Sequence, residues 1–260
     1  MSKTDRIQND SVWEEEFRVR TYEIDINGVT NLASLCNYLQ EAAGNHAEKL
    51  HVSIDDLGKN NKTWVLSRLR LNITKPPGLG QTITVRTWPS GTDRLFTTRD
   101  FEILDNGGQS LVKATSVWLV IDRTTRRPYR LPESVVNLIR PDTPRALTID
   151  LHQQLPEPDQ TVRSAELIAR RSDLDVNGHV NNVHYIEWAL EPMDDAFLKK
   201  YRPVELTVQF LAESRQGTNV ISNLSELDNA NSKLLRHQLI KKTEETPLAR
   251  LETRWVTEDK

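Results

Sequence analysis

Residues 25–31 read Asp-Ile-Asn-Gly-Val-Thr-Asn, and residues 175–181 read Asp-Val-Asn-Gly-His-Val-Asn. One constant offset of 150 (175 minus 25) relates the two stretches, and each joins a strand-like run to a helix-like one. Further on, Leu69, Leu71, Ile73 and Gly80 match Leu206, Val208, Phe210 and Gly217 at an offset of 137, so the second copy is 13 residues (150 minus 137) shorter in between. The shortening falls largely on the helix and the loop after it. A chain that runs strand, helix and antiparallel strands twice predicts two sheets, each wrapped around its own helix, in the α+β class.

Working outward, runs rich in Val, Ile, Leu, Thr, Phe and Trp at 17–24, 64–74, 82–88, 95–104 and 111–121 read as strands of one antiparallel sheet. Asp105-Asn106-Gly107-Gly108 is a hairpin signal between the last two. Leu32, Leu35, Leu39 and Ala42 or Ala43 recur at spacings of three and four, which places them on one face of a helix. The second copy repeats the order: strand 162–171, helix 180–190, then strands at 203–212, 218–226, 233–241 and 247–256. Between the copies stand Pro128, Pro132, Pro141, Pro144, Pro156 and Pro158, which remove backbone donors and discourage regular structure. The expected division is a first domain over 1–140, a proline-containing linker over 141–158 and a second domain over 159–260.

Composition narrows the function classes. The chain of 260 residues is 37% hydrophobic and 27% charged, a soluble globular balance, and no apolar run is long enough for a membrane span. Its opening residues lack the apolar core of a secretion signal and carry an acidic cluster unlike a transit peptide, so the expected compartment is the cytoplasm. One cysteine, Cys36, can form neither an internal disulfide nor a cysteine-based zinc site. A net charge of −3 with both signs interspersed argues against a broad nucleic-acid-binding surface. Arg123, Arg126, Arg127 and Arg130 form the clearest basic cluster; read blandly it is a solvated turn, and read functionally a dock for an acidic partner.

The turn at 173–179 opens like a calcium loop, but position twelve, which should be a bidentate glutamate, is His184. His179 and His184 lie five apart, a poor spacing for two ligands on one helical face, so no metal or other cofactor is expected. Hydrolysis suits the cluster better. Histidine's ordinary pKa of about 6.5 fits proton transfer near neutrality, Asp175 could orient His179, and Glu213 offers a second base. Gly178 tightens the turn, and Asn177 together with backbone amides at the helix start, around Gly178 and Val180, could hold an oxyanion. The bland reading is that Asp175 and Asn177 cap a helix and His179 fills its first turn. Against it, the first copy has Val29 where the second has His179, and Pro76 where it has Glu213, so the ionisable partners occur together in one copy.

The run RRSDLDVNGHVNNVHYIEWALE at 170–191 resembles the active-site segment of the fatty acyl-acyl-carrier-protein thioesterases. LTVQFLAES at 206–214 extends the likeness, as do YEIDINGVTNLASLCNYLQEAAGNHAE and SVWLVIDRTTRRPYRLPESV in the first half. The resemblance implies a tandem hotdog fold, release of free fatty acid from acyl carrier protein, an acyl pocket lined largely by the first domain, and a catalytic set of Asp175, Asn177, His179 and Glu213. Plant relatives carry a cysteine after the glutamate where this chain has Ser214, so direct attack by water is the expected mechanism. Acyl carrier protein is acidic, which makes Arg68, Arg70, Lys75 and the 123–130 arginines candidate contacts. An acyl-CoA thioesterase of the same fold and a non-catalytic acyl-binding protein are the rival readings, and either a monomer or a homodimer is compatible with the repeat.

Overall fold

The structure is a computed structural model and describes residues 11–139, 143–229 and 232–257. It separates into two compact units. One holds most of the chain up to Leu151; the other holds His152 onward together with Asn31–Ala33 and Arg70–Ile73.

In the first half of the chain, β1 (Trp13–Arg18) is followed by the long helix α1 (Leu32–Lys49), the short helix α2 (Ile54–Gly58) and strands β2 (Lys62–Ile73), β3 (Thr82–Asp93), β4 (Phe96–Leu104) and β5 (Ser110–Asp122). The hydrogen-bonded order is β1-β3-β4-β5-β2, with β6 (Pro128–Tyr129) paired to β5; α3 (Glu133–Val136) follows. In the second unit, β7 (Arg163–Ile168), α4 (Asn182–Leu190), α5 (Asp195–Lys200), β8 (Tyr201–Phe210), β9 (Asn219–Asn229), β10 (Ser232–Lys241) and β11 (Pro247–Thr257) give the order β7-β9-β10-β11-β8. Substituting each strand of the first unit by its counterpart six places on reproduces the second. This is the expected α+β arrangement of two hotdog units.

The repeat extends to single hydrogen bonds. Thr74 and Lys75 both donate to Leu111 O, as Leu211 and Ala212 both donate to Leu248 O, all at the offset of 137. Val19 exchanges bonds with Gly80 and Gln81, and Ala169 with Gly217 and Thr218. Leu35, Leu39 and Ala42 of α1 are buried, as their spacing requires, and so are Val183, Tyr185, Ile186, Trp188 and Ala189 of α4. The shortening has a visible place: α1 has 18 residues and α4 has 9. Beyond α4 the sheet is covered instead by Phe197 and Leu198 of α5, which pack with Met193 on Leu224, Leu235 and Trp255.

Two expectations about boundaries are corrected. The first strand is Trp13–Arg18, not 17–24, and the chain turns through a 3-10 helix at Thr21–Glu23. The three glutamates at 14–16 look unlike a strand in isolation, yet Glu14 meets Arg86 across the sheet at 2.6 Å and Glu15 accepts bonds from Trp13 and Asn45. Cross-strand partners override intrinsic propensity here. The second copy repeats the correction, with its strand at Arg163–Ile168 and a 3-10 helix at Arg171–Asp173. The Asp105–Gly108 hairpin stands as expected: Asp105 Oδ1 accepts the amides of Gly107 and Gln109, each at 2.9 Å, and Gly108 has φ +78°.

Candidate active site

The stretch 173–181 folds as it does because Asp175 builds it. Its Oδ1 accepts the amides of Asn177 at 2.8 Å and His179 at 3.2 Å, and its own amide donates to His179 O at 2.7 Å. Gly178 takes φ +75°, a left-handed conformation that glycine adopts without the steric cost other residues meet. Asn181, not Asp175 or Asn177, caps α4, its side chain accepting from Val183 N at 3.1 Å. Asp175 therefore orients His179 through the backbone, and the Asn177 side chain stays exposed on the turn, 3.5 Å from Asp175 Oδ2.

The turn delivers the His179 ring to the end of β8. Its Nε2 lies 3.4 Å from Glu213 Oε2, the histidine side chain being 19% exposed and the glutamate 41%. Arg215 Nη2 lies 3.4 Å from the same nitrogen. With its proton on Nδ1, the ring accepts from Arg215; with Nε2 protonated, it can donate to Glu213. One nitrogen thus faces both a cation and a carboxylate, an arrangement suited to taking up and giving back a proton.

Of the four residues singled out by the sequence, Asp175, Asn177 and His179 share one turn and Glu213 meets the His179 ring. Two details of the sequence reading change. The amides of Gly178 and Val180 are already committed, to Asp175 O at 3.0 Å and Ser214 O at 3.0 Å, so neither is open to an oxyanion, whereas the Asn177 side chain is exposed. Arg215 was missed. Subtracting the two copies singles it out as readily as Glu213, because Gly78 stands at its place in the first copy.

Among the proposed carrier contacts, Arg123, Arg126, Arg127 and Arg130 are exposed around the turn after β5, and Lys75 is exposed as well. Arg70 is half-buried. Arg68 is withdrawn from that surface: it is only 7% exposed, and burial lowers its pKa, opposed by the charge of Asp150. Cys36 is buried and burial pushes its thiol up to about 12, which makes it an inert packing residue. Among the described residues no cluster of three or more His, Cys, Asp or Glu could hold a metal, and no helix is long and apolar enough to cross a membrane.

Comparison with known proteins gives a consistent result along both halves. A family model for the acyl-ACP thioesterase N-terminal domain matches residues 10–139, and one for the acyl-ACP thioesterase C-terminal domain matches residues 156–257. The chain is 32% identical over 235 residues to a chloroplastic palmitoyl-acyl carrier protein thioesterase of Cuphea hookeriana, covering 85% of this chain and 56% of that protein. It is 31% identical to a chloroplastic acyl-[acyl-carrier-protein] hydrolase of Cuphea viscosissima, covering 96% of this chain and 62% of the relative, so it spans about three-fifths of the length of these plant proteins. Among solved structures, an acyl-ACP thioesterase from Bacteroides thetaiotaomicron is 29% identical with a TM-score of 0.83, covering 99% of this chain and all (100%) of its own. The 12:0-ACP thioesterase from Umbellularia californica shares the fold, with a TM-score of 0.85 at 23% identity and coverage of 99% and 98%.

Proposed function

The chain belongs to the acyl-ACP thioesterase family, and from that premise we propose that it hydrolyses the thioester of fatty acyl-acyl carrier protein, releasing free fatty acid and holo-acyl carrier protein and so ending fatty acid synthesis. The observation that carries the reading is the meeting of His179 and Glu213 at 3.4 Å, on a copy of the repeat whose sister has Val29 and Pro76 instead.

Water attacks the thioester carbonyl carbon. The His179–Glu213 pair takes one of its protons, and the Asn177 side-chain amide donates to the developing oxyanion. The carbon–sulfur bond then breaks, and the proton held by the pair passes to the departing sulfur. A thiolate with a pKa of about 8.5 leaves readily, so activated water and an oxyanion donor are the main requirements. Asp175 holds His179 in place through the turn. Ser214 is no nucleophile in this scheme, and no cofactor takes part.

The proposal includes a first hotdog over 1–140 that lines the acyl pocket, a linker over 141–158 and a catalytic hotdog over 159–260. It also includes docking of the acidic carrier through Lys75, Arg70 and the arginines at 123, 126, 127 and 130. We place the protein in the cytoplasm, consistent with a single buried cysteine, as a monomer or a homodimer.

The test is thiol release from a panel of acyl-carrier-protein and acyl-CoA substrates by wild type, His179→Ala and Glu213→Ala. Wild-type turnover of carrier substrates with loss in both variants supports the reading. Higher kcat/KM on CoA esters would reassign the carrier, equal activity in all three would move the chemistry elsewhere, and acyl binding without turnover would make this a binding protein. Charge reversal at the arginines should raise KM for the carrier substrate and flatten its salt dependence; unchanged kinetics would remove that surface.

A further inference from the structure

Glu213 sits on a short stretch that has already left β8, between Ala212 and Ser214. Backbone bonds hold the stretch at Ala212 N, which donates to Leu248 O, and at Ser214 O, which accepts from Val180 N, and Tyr185 of α4 adds a side-chain anchor. The phenol oxygen lies 2.9 Å from Ser214 N, 2.9 Å from Ser214 Oγ and 3.4 Å from Ala212 O. One proton arrangement serves all three contacts: Ser214 N–H and Ser214 Oγ–H donate to the phenol oxygen, and the phenol O–H donates to Ala212 O. Both chain neighbours of Glu213 are thereby tied to one hydroxyl. Tyr185 and Ser214 are each only 2% exposed, and Phe210 and Trp188 pack against the Tyr185 ring with centroids 6.0 and 5.5 Å away.

The sister copy solves the same problem without a hydroxyl. Where the second copy has Glu213-Ser214 the first has Pro76-Pro77, and where it has Tyr185 the first has Leu35. Pro77 has no N–H to satisfy, and two proline rings stiffen the chain by themselves. Ser214 does carry a buried N–H, which would cost free energy if left without an acceptor. The carbonyl at this place does the same work in both copies, accepting Thr30 N at 2.8 Å from Pro77 and Val180 N at 3.0 Å from Ser214. Exchanging proline for serine at 214 therefore goes together with an acceptor at 185.

We infer that Tyr185, acting with Ser214, is a positioning residue that fixes the backbone on either side of Glu213 and so holds its carboxylate against His179. This rests on the hydrolase reading given above. It also assigns the Ser214 side chain to a structural bond: its hydroxyl is buried and committed to the phenol.

The experiment measures kcat, KM and Tm for wild type, Tyr185→Phe, Ser214→Ala, Glu213→Gln and the Tyr185→Phe/Glu213→Gln double variant, on the carrier substrate turned over fastest in the panel above. Tyr185→Phe should lower kcat by about tenfold to a hundredfold with KM little changed, because a misplaced catalytic group costs turnover before binding. Ser214→Ala removes one of the three bonds and should lower kcat by about threefold to tenfold, which keeps the idea testable if Tyr185→Phe fails to fold. The double variant should be no slower than Glu213→Gln alone, since a positioning residue has nothing left to position. Full activity in the folded Tyr185→Phe or Ser214→Ala variants, with Glu213→Gln inactive, overturns the inference alone, as does a further loss in the double variant. A fully active Glu213→Gln, or no turnover by wild type, overturns both this and the reading beneath it.

Discussion

The turns at 25–31 and 175–181 share a backbone and differ in what they present. Asp25 Oδ1 accepts from Asn27 N at 2.8 Å and Val29 N at 3.3 Å, as Asp175 does from Asn177 and His179, and Gly28 and Gly178 have φ of +76° and +75°. The aspartate, asparagine and glycine therefore make the same turn in both copies. What separates the turns is a three-point exchange of Val29, Pro76 and Gly78 for His179, Glu213 and Arg215. The repeat carries the turn twice and the His179, Glu213 and Arg215 side chains once.

The most severe way to break this comparison is to erase it. His179→Val gives the second turn the residue with which the first already folds, so thiol release should fall by about a hundredfold to ten-thousandfold while Tm barely moves. A parallel fall in Tm would mean that His179 is structural. The reverse graft, Val29→His with Pro76→Glu, should create no second activity, because Gly78 leaves the new histidine without a counterpart to Arg215; an active graft in a Glu213→Gln background would refute that.

Acid should separate the two units. His237 is buried, hydrogen-bonded to Ala189 O at 2.7 Å and Thr253 Oγ1 at 2.9 Å, and burial lowers its pKa to about 4. Its neutral form is favoured in the fold, so as pH falls below the ordinary value of about 6.5 the unfolded chain takes up a proton first, and stability is lost down to about pH 4. The difference of about 2.5 units corresponds to roughly 3 kcal/mol at the limit. In the first unit Asp100 is buried and bonded to Thr115 Oγ1, and burial raises its pKa, so the same acidification favours its folded form. Hydrogen exchange at pH 7 and pH 4.5 should show β10 and β11 losing more protection than β4 and β5, and His237→Gln should shrink the contrast. Equal losses in both units would break it.

Asp25→Ala and Asp175→Ala should each destabilise by about 1–2 kcal/mol, since each deletes the acceptor of two turn amides. Thermal unfolding should rank them together, whereas kinetics should find turnover impaired in Asp175→Ala alone. Smallest is the effect of Gly28→Ala and Gly178→Ala. No heavy atom lies within 4 Å of either added Cβ, so only the positive φ resists, at about 1 kcal/mol each. A large difference in Tm between these two would show that the turns are less alike than their backbones.

Much of this was legible before any coordinates. The two offsets, 150 and 137, placed His179 and Glu213 in register with Val29 and Pro76, and the bonds of Thr30 to Pro77 and Val180 to Ser214 have the same register in three dimensions. Less legible was which polar atoms are already in use. The motif points to the Gly178 and Val180 amides for an oxyanion, but the first is hydrogen-bonded to Asp175 O within the turn and the second to Ser214 O beyond β8. Arg68 looks like any surface arginine in the string and is buried in the fold.

The sequence by itself determined the repeat, the class of the fold, the shortened second helix and the four residues of the candidate site, because periodicity and spacing are local properties that survive without coordinates. Only the tertiary structure decided that His179 Nε2 faces both Glu213 and Arg215, that Ser214 is committed to Tyr185, and that three glutamates form a strand opposite Arg86. These are contacts between residues 29 to 72 positions apart, and whether a polar group is satisfied depends on which distant partner the packed chain brings to it.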